Sequence, residues 1–389
     1  MQAIKFLRKL IKSGQFVIWK LIGIFQPSSR GIDQADENPP RILVIQLNAI
    51  GDLLMTTPAI NSLRQKFPQA RLDVLVRPHT KEILGNNPHI NHIYTLERQP
   101  LQQGCLNLTY LADTVKTIRR LSRQRYSQIL DFSGLFQTAW IGFMIGAQYR
   151  LGFKKKVKLG WSEIYGFDYL YTLEVTSQKN HLIEQNLELL KPLGCNPAGQ
   201  EMEAFPAQAD FDYIDKTLKM EGVSANDSVV CIHPGAKWPP KRWPEKNYAE
   251  LVCRLMQQEA KVCLLGAKDE ETPQSLMRRC GFKPINLAGR LNLLQTAALI
   301  KTSRLFIGND SGPMHIAAAM HTPSLLFFGP VSPETSAPRN ADAFIFYKNP
   351  GCSPCTLYFT KDRCEKGQNI CLEIIGVDEV WNKVLQILK

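Results

Sequence analysis

The residues able to do chemistry gather in three short stretches. The first is Asn48 to Asp52 (NAIGD), directly after the apolar run Arg41 to Leu47. Gly51 permits a tight turn, and Asp52 stands at a helix start, where the helix dipole stabilises a carboxylate. That carboxylate is either a helix cap or a general base, since abstracting a proton from a sugar hydroxyl needs an ionised carboxylate within hydrogen-bond reach. A single glycine does not make the GxGxxG dinucleotide fingerprint. The second stretch is His233 to Pro244 (HPGAKWPPKRWP), with Lys237, Lys241 and Arg242 set among prolines and two tryptophans. Cations on a rigid loop suit a diphosphate leaving group, whose charge grows as its bond breaks. A basic surface loop with packed tryptophans is the alternative. The third stretch is Leu305 to Met320 (LFIGNDSGPMHIAAAM). It reads as a buried strand, a polar turn and a helix, with Ser311 placed to cap and Pro313 suited to the first turn. Free N–H groups at Gly312 would face an anion, with Asp310 and His315 beside them. Alone, this is either an ordinary capped turn or a phosphate and ribose site.

Two further groups are less pointed. Gly266 to Glu271 (GAKDEE) follows a strand, and a carboxylate there either holds ribose hydroxyls or starts a helix. Cys352, Cys355, Cys364 and Cys371 are spaced C-x2-C-x8-C-x6-C. A tetrahedral zinc site, two disulfides and four free thiols all fit that spacing. No histidine is interleaved and the segment lies apart from the other motifs, which points to a structural role.

These stretches need a scaffold that brings strand ends together. Residues 41–192 alternate strand and helix patterns: strands at Arg41 to Leu47, Leu72 to Val76, His92 to Thr95, Tyr126 to Asp131 and Gln148 to Gly152, and helices at Leu53 to Phe67, Asn107 to Gln124 and Leu135 to Ile145. Lys154 to Gly160 reads as a basic loop, either a solvated face or a contact for an anionic acceptor. Residues 193–227 connect to a second alternating half, 228–375, with the cysteine segment at 352–371, and a terminal helix spans 376–389. Alternation of this kind predicts two doubly wound parallel sheets, which bind ligands at the carboxyl ends of their strands. Every polar turn above falls at such an end.

Of 389 residues, 44% are hydrophobic and 21% charged, as in globular enzymes, and the formal net charge of +12 favours anionic partners. No run is long and apolar enough to span a membrane. Residues 1–25 interleave Ile4, Phe6, Leu7, Leu10 and Ile11 with Lys5, Arg8, Lys9 and Lys12. This is a basic amphipathic helix, lying either on an anionic membrane or on the protein itself, and 26–40 form a polar linker. The scattered cysteines fit a reducing compartment. No aromatic–basic pattern supports nucleic-acid binding.

Taken in order, ILVIQLNAIGDLLMTTPAINSLRQKFP, HPGAKWPPKRWP and IGNDSGPMHIAAAM resemble glycosyltransferase family 9, the ADP-heptose:lipopolysaccharide heptosyltransferases and their relatives. The resemblance covers about residues 41 to 388. It implies a GT-B type fold: two Rossmann-like domains facing an interdomain cleft, acceptor on the first and nucleotide-sugar on the second. It also implies inversion at the anomeric carbon with no catalytic metal. On the matching positions Asp52 is the expected base and Lys241 the cation near the diphosphate. Lys237, Glu270, Asp310, Ser311, Gly312 and His315 are expected at the nucleotide-sugar, and Asn48 and Gly51 at the acceptor. The family usually carries Arg and Ser where this chain has Gln46 and Asn48. The expected enzyme moves a heptose, or a related sugar, to an anionic saccharide or glycolipid. Its expected place is cytoplasmic, at the inner membrane face. Another sugar donor, or a nucleotide-sugar-binding protein without turnover, is the alternative.

Overall fold

The computed structural model describes residues 39–97, 108–154, 156–159, 162–165, 170–268, 272–279, 281–355, 364 and 366–388. The segment 1–25, expected as a helix, and Glu270 lie outside them.

Strand β1 (Arg41–Gln46) is buried from Ile42 onward. Ile42 and Val44 face one apolar cluster and Leu43 and Ile45 another, so both faces of the strand are covered. That double burial is what makes the run continuously apolar rather than alternating. Helices α1 (Ile50–Leu54) and α2 (Thr57–Lys66) follow. A single helix over Leu53 to Phe67 is therefore not formed. Pro58 lacks an N–H and is accommodated in the first turn of a new helix. The first helix also begins earlier than expected, which places Asp52 inside its opening turn.

The sheet continues through β2 (Arg71–Val76), β3 (His92–Thr95), α3 (Leu108–Ser122), β4 (Gln128–Asp131), α4 (Phe136–Ile145) and β5 (Tyr149–Phe153). The segment expected as a basic loop is instead β6 (Lys156–Leu159), paired antiparallel with β7 (Ser162–Tyr165). Its Lys-Val-Lys-Leu order has the period of two that a strand requires. Strand β8 (Leu173–Val175) completes a parallel sheet in the order β3-β2-β1-β4-β5-β8. Helices α5 (Leu182–Glu188) and α6 (Gln208–Met220) lead out of it, so the connecting stretch holds a helix of its own.

The second half repeats the plan. Its elements are β9 (Val229–His233), α7 (Glu245–Gln257), β10 (Lys261–Leu264), α8 (Thr272–Arg279), β11 (Ile285–Asn286), α9 (Leu293–Thr302), β12 (Leu305–Asn309), α10 (Gly312–Ala319), β13 (Ser324–Phe328), α11 (Pro333–Ser336), β14 (Ala343–Tyr347), α12 (Ile370–Glu373) and α13 (Val377–Leu388). The sheet order is β11-β10-β9-β12-β13-β14, again parallel. Val380 and Val384 of α13 pack into the cluster on one face of this sheet.

In each sheet the chain winds outward on one side of the first strand and then returns to the other side. The reversal falls between β1 and β4, and between β9 and β12. Such switch points leave a crevice at the strand carboxyl ends. The two halves also touch directly. Helix α1 packs on α10, the Glu82 carboxylate accepts the Leu293 N–H (3.4 Å), and His181 Nε2 lies 2.9 Å from the Ala337 carbonyl. One apolar cluster contains residues of both halves, among them Val44, Leu53, Cys231 and Met314.

Close packing constrains β5 at Gly152, where a Cβ would stand 2.1 Å from the Tyr171 ring. That ring's hydroxyl donates to the buried Asp131 carboxylate (2.7 Å). Gly152→Ala is expected to cost about 3 kcal/mol, the upper end for overpacking, read as a lower urea midpoint.

Candidate active site

Four strand ends build the site. At the end of β1, Asp52 is the third residue of α1 and its Oδ2 accepts the Ala49 N–H (3.1 Å). This bond and the helix start keep the carboxylate anchored at the turn. Beneath the turn lies a polar net from the end of β4. Ser133 Oγ accepts the Leu47 N–H (2.7 Å), and the Asn48 amide donates to the Ser133 carbonyl (3.4 Å). Gln46 is buried and its amide donates to Thr56 Oγ1 (3.1 Å). Asp131 accepts N–H groups of Ser133 (2.9 Å) and Gly134 (3.3 Å). Burial raises the Asp131 carboxyl above the usual range, and bonds from Thr138, Tyr171 and the backbone work against that rise.

In the second half, the loop after β9 is held by Asn309, the last residue of β12. Its side chain is fully buried. Oδ1 accepts the Trp243 N–H (2.9 Å) and the Tyr248 hydroxyl (3.0 Å), and Nδ2 donates to the carbonyls of Pro234 (2.8 Å) and Gly235 (3.1 Å). Trp243 stacks on Phe327 with ring centres 4.4 Å apart. The tryptophan is thus a core residue that anchors the loop, and Lys241 is carried on the loop it anchors.

Lys241 Nζ lies 2.6 Å from Asp310 Oδ2, with side-chain exposures of 18% and 8%. The contact is ionic rather than an aligned hydrogen bond. Each charge, so enclosed, depends on the other. Ser311 occupies the N-cap position of α10 but does not cap it, contrary to the expectation from sequence. Its hydroxyl turns to the Asn309 carbonyl (3.2 Å) and to His233 Nδ1 (3.2 Å). Among the described residues no side chain caps this helix start. Pro313 has no N–H and the Met314 N–H bonds the Ser311 carbonyl (3.2 Å), so the Gly312 N–H and the helix dipole are what the start offers an anion.

His315 sits one turn further on and is 4% exposed. Burial pushes its imidazole down to about 4, with Lys241 and His181 acting in the same direction and Asp310 against it. The ring is neutral at pH 7. Lys237 is exposed on the same loop as Lys241. Its charge helps lower His79 across the cleft, after burial and Arg77. Gly51 is buried against the His315 ring, and Gly312 faces Ile50. The structure thus brings Asp52, Gly51, Lys241, Asp310, Ser311, Gly312 and His315 to one place.

The family's sequence profile, glycosyltransferase family 9 (heptosyltransferase), matches residues 114–364. This chain belongs to glycosyltransferase family 9. Among its relatives, lipopolysaccharide heptosyltransferase 3 of Escherichia coli K12 is 29% identical over 293 residues, covering 72% of this chain and 79% of the relative. Lipopolysaccharide heptosyltransferase 2 of the same strain is 26% identical over 320 residues, covering 78% and 87%. Solved structures share the fold. The Veillonella parvula family 9 glycosyltransferase superposes with a TM-score of 0.75 at 20% identity, covering 90% of this chain and 97% of that one. The E. coli ADP-heptose LPS heptosyltransferase II gives 0.72 at 22% identity, covering 90% and 98%. The chain is a glycosyltransferase of the GT-B fold.

The clustered cysteines stand apart from this site. Cys352, Cys355, Cys364 and Cys371 form no disulfide in this structure. Burial first, then the neighbouring Cys355, Cys364 and Cys352, push the Cys371 thiol up to about 11. Among the described residues no three His, Cys, Asp or Glu side chains are placed to hold a metal ion.

Several members of the site were not singled out from sequence. Asn309, Asp131 and Ser133 are hubs whose roles appear only in space. Asp131-Phe-Ser133-Gly134 does carry the signal used elsewhere, a polar turn with glycine at a strand end.

Replacing Asn309 by Ala strands the Trp243 N–H, the Tyr248 hydroxyl and two carbonyls, and should cost about 3–5 kcal/mol in chemical denaturation. The His315 ring predicts a pH effect of definite sign. Its folded pKa of about 4 lies below the ordinary value of 6.5. Between these the unfolded chain binds a proton that the folded chain refuses. Stability from this group is therefore complete above pH 6.5 and falls as the pH drops toward 4, by about 3 kcal/mol at most. Urea midpoints at pH 7 and 4.5 should converge for wild type and His315→Leu relative to their separation at neutral pH, the variant lacking this component of acid loss.

Proposed function

We propose that this glycosyltransferase moves a heptose from ADP-heptose to a saccharide of the lipopolysaccharide core. The reading is supported by relatives whose names are lipopolysaccharide heptosyltransferases and by a fold shared with an E. coli heptosyltransferase solved with ADP-2-deoxy-2-fluoro heptose, TM-score 0.64. The observation that carries it is the meeting of the Asp52 turn with the uncapped start of α10.

In this reading the donor's diphosphate lies at the Gly312 N–H and the positive end of the α10 dipole, near Lys241. Asp52 takes the proton from an acceptor hydroxyl as that oxygen bonds to the anomeric carbon. The bond from the anomeric carbon to the phosphate oxygen breaks, and its electron pair leaves with the diphosphate. Attack opposite the leaving group inverts the anomeric configuration. Lys241 and the helix dipole offset the growing negative charge. Asp310 holds the ammonium in place beforehand, which removes the cost of ordering a long side chain during reaction. His315 can serve only as a neutral dipole at pH 7. No step calls on a metal. Lys237 and Glu270 belong to the donor side, Asn48 to the acceptor side.

The acceptor is anionic in this proposal, in keeping with a net charge of +12. Among the described residues no helix is long and apolar enough to cross a membrane. The basic, amphipathic sequence of residues 1–25 suits attachment to an anionic lipid surface, at the cytoplasmic face where a lipid-linked acceptor would be presented.

Asp52→Ala and Asp52→Asn should lower turnover by about 10²–10⁴-fold with donor affinity retained. Turnover close to wild type would remove Asp52 as the base. A thermal-shift screen of ADP-, UDP-, GDP- and dTDP-sugars should single out the ADP sugar; stabilisation by another nucleotide sugar instead would overturn the heptose donor.

A further inference from the structure

The start of α10 does more than face an anion. Its His315 ring lies against the backbone of Gly51, the residue before Asp52. A Cβ built on Gly51 would stand 2.5 Å from His315 Cδ2 and 2.8 Å from Nε2. Real Cβ atoms do not approach that closely, so any side chain at 51 must displace the ring or the turn. The contact is continued at Gly312, whose Cβ position is 3.5 Å from Ile50 Cβ. Helices α1 and α10 thus meet through two glycines, each opposed by a side chain of the other half.

The ring itself is unusual. His315 is enclosed, and its Nδ1 is buried with no hydrogen-bond partner. Burying a polar nitrogen unpaired is unfavourable. The ring lies against the Gly51 backbone of α1, with Lys241, Asp310 and His181 near enough for their charges to act on it. One helix carries both the uncapped start at Gly312 and, a turn later, the ring that meets the base's own turn.

We propose that His315 is a positioning residue for Asp52: its ring seats on the Gly51 backbone and sets the distance between the diphosphate loop and the base. The inference rests on the reading of Asp52 as base and deepens it. The turn that carries Asp52 is then placed by this contact between the two halves. Gly51 matters through the room it leaves and not through any contact with the acceptor.

The test is a double-mutant cycle on the full-length enzyme, with ADP-heptose as donor and a lipopolysaccharide core saccharide as acceptor. Gly51→Ala should lower kcat by about tenfold or more while ADP affinity, measured by calorimetry, stays within about twofold. In a His315→Ala background, where the ring is gone, the same Gly51→Ala step should cost less than about threefold. An equal cost in both backgrounds overturns the proposal, as does a parallel loss of ADP affinity and kcat in Gly51→Ala. Should Gly51→Ala not fold, His315→Ala decides alone through the pH dependence of kcat. A displaced acid limb supports positioning of Asp52. An unmoved limb with only a raised donor KM reduces His315 to a diphosphate contact. Absence of turnover in the wild-type enzyme would instead count against the transfer reading itself, and is separable from either result.

Discussion

The side chain of Asn309 is the joint on which the donor half of the site hangs. It satisfies two donors and two carbonyls that no solvent reaches. Each of those groups would be costly to bury alone, and together they bind the end of β12, the loop after β9 and helix α7 into one rigid piece. Lys241 rides on that loop and Asp310 is the next residue after Asn309. The ion pair between them is therefore a consequence of the amide hub, with both partners placed before they meet. The aromatic stack of Trp243 on Phe327 supplies the apolar backing.

Electrostatics in the crevice follow from this rigidity. A half-buried ammonium paired with a buried carboxylate, a neutral imidazole and an uncapped helix start are held within one region. A fixed array of this kind needs no reorganisation when charge moves to a leaving group, which is the physical basis of preorganised catalysis. The acceptor half is arranged by the same logic with fewer charges. Gln46, Ser133, Asn48 and Asp131 fix the turn that carries Asp52 through hydrogen bonds between β1 and β4, the two strands that flank the switch point. Gln46, which stands where the family usually has Arg, is committed to this net and not to the crevice.

The sheets were legible in the sequence because buried parallel strands are written as unbroken apolar runs, and their order follows from alternation with helices. The grouping of Asp52, Lys241 and the NDSG turn was foreseeable because all three lie at strand carboxyl ends, which a doubly wound fold gathers at one crevice. Local signals failed where a residue's partner is distant. Ser311 has the identity of an N-cap, yet its hydroxyl is drawn to His233 on the neighbouring strand. The apolar run after Asp52 has helical composition throughout, and only the first-turn preference of Pro58 divides it. Trp243 packs in the core, as the structural alternative for its loop allowed.

By itself the sequence determined the class of fold, the strands, and the polar turns at their ends, because each depends on neighbours within a few residues. The tertiary structure alone decided that Asn309 is the hub, that Asp310 is paired with Lys241, that His315 is neutral, and that its ring rests on Gly51. Those properties belong to pairs separated by tens to hundreds of residues. Burial and proximity in the folded chain, rather than residue type, set their charge and their reach.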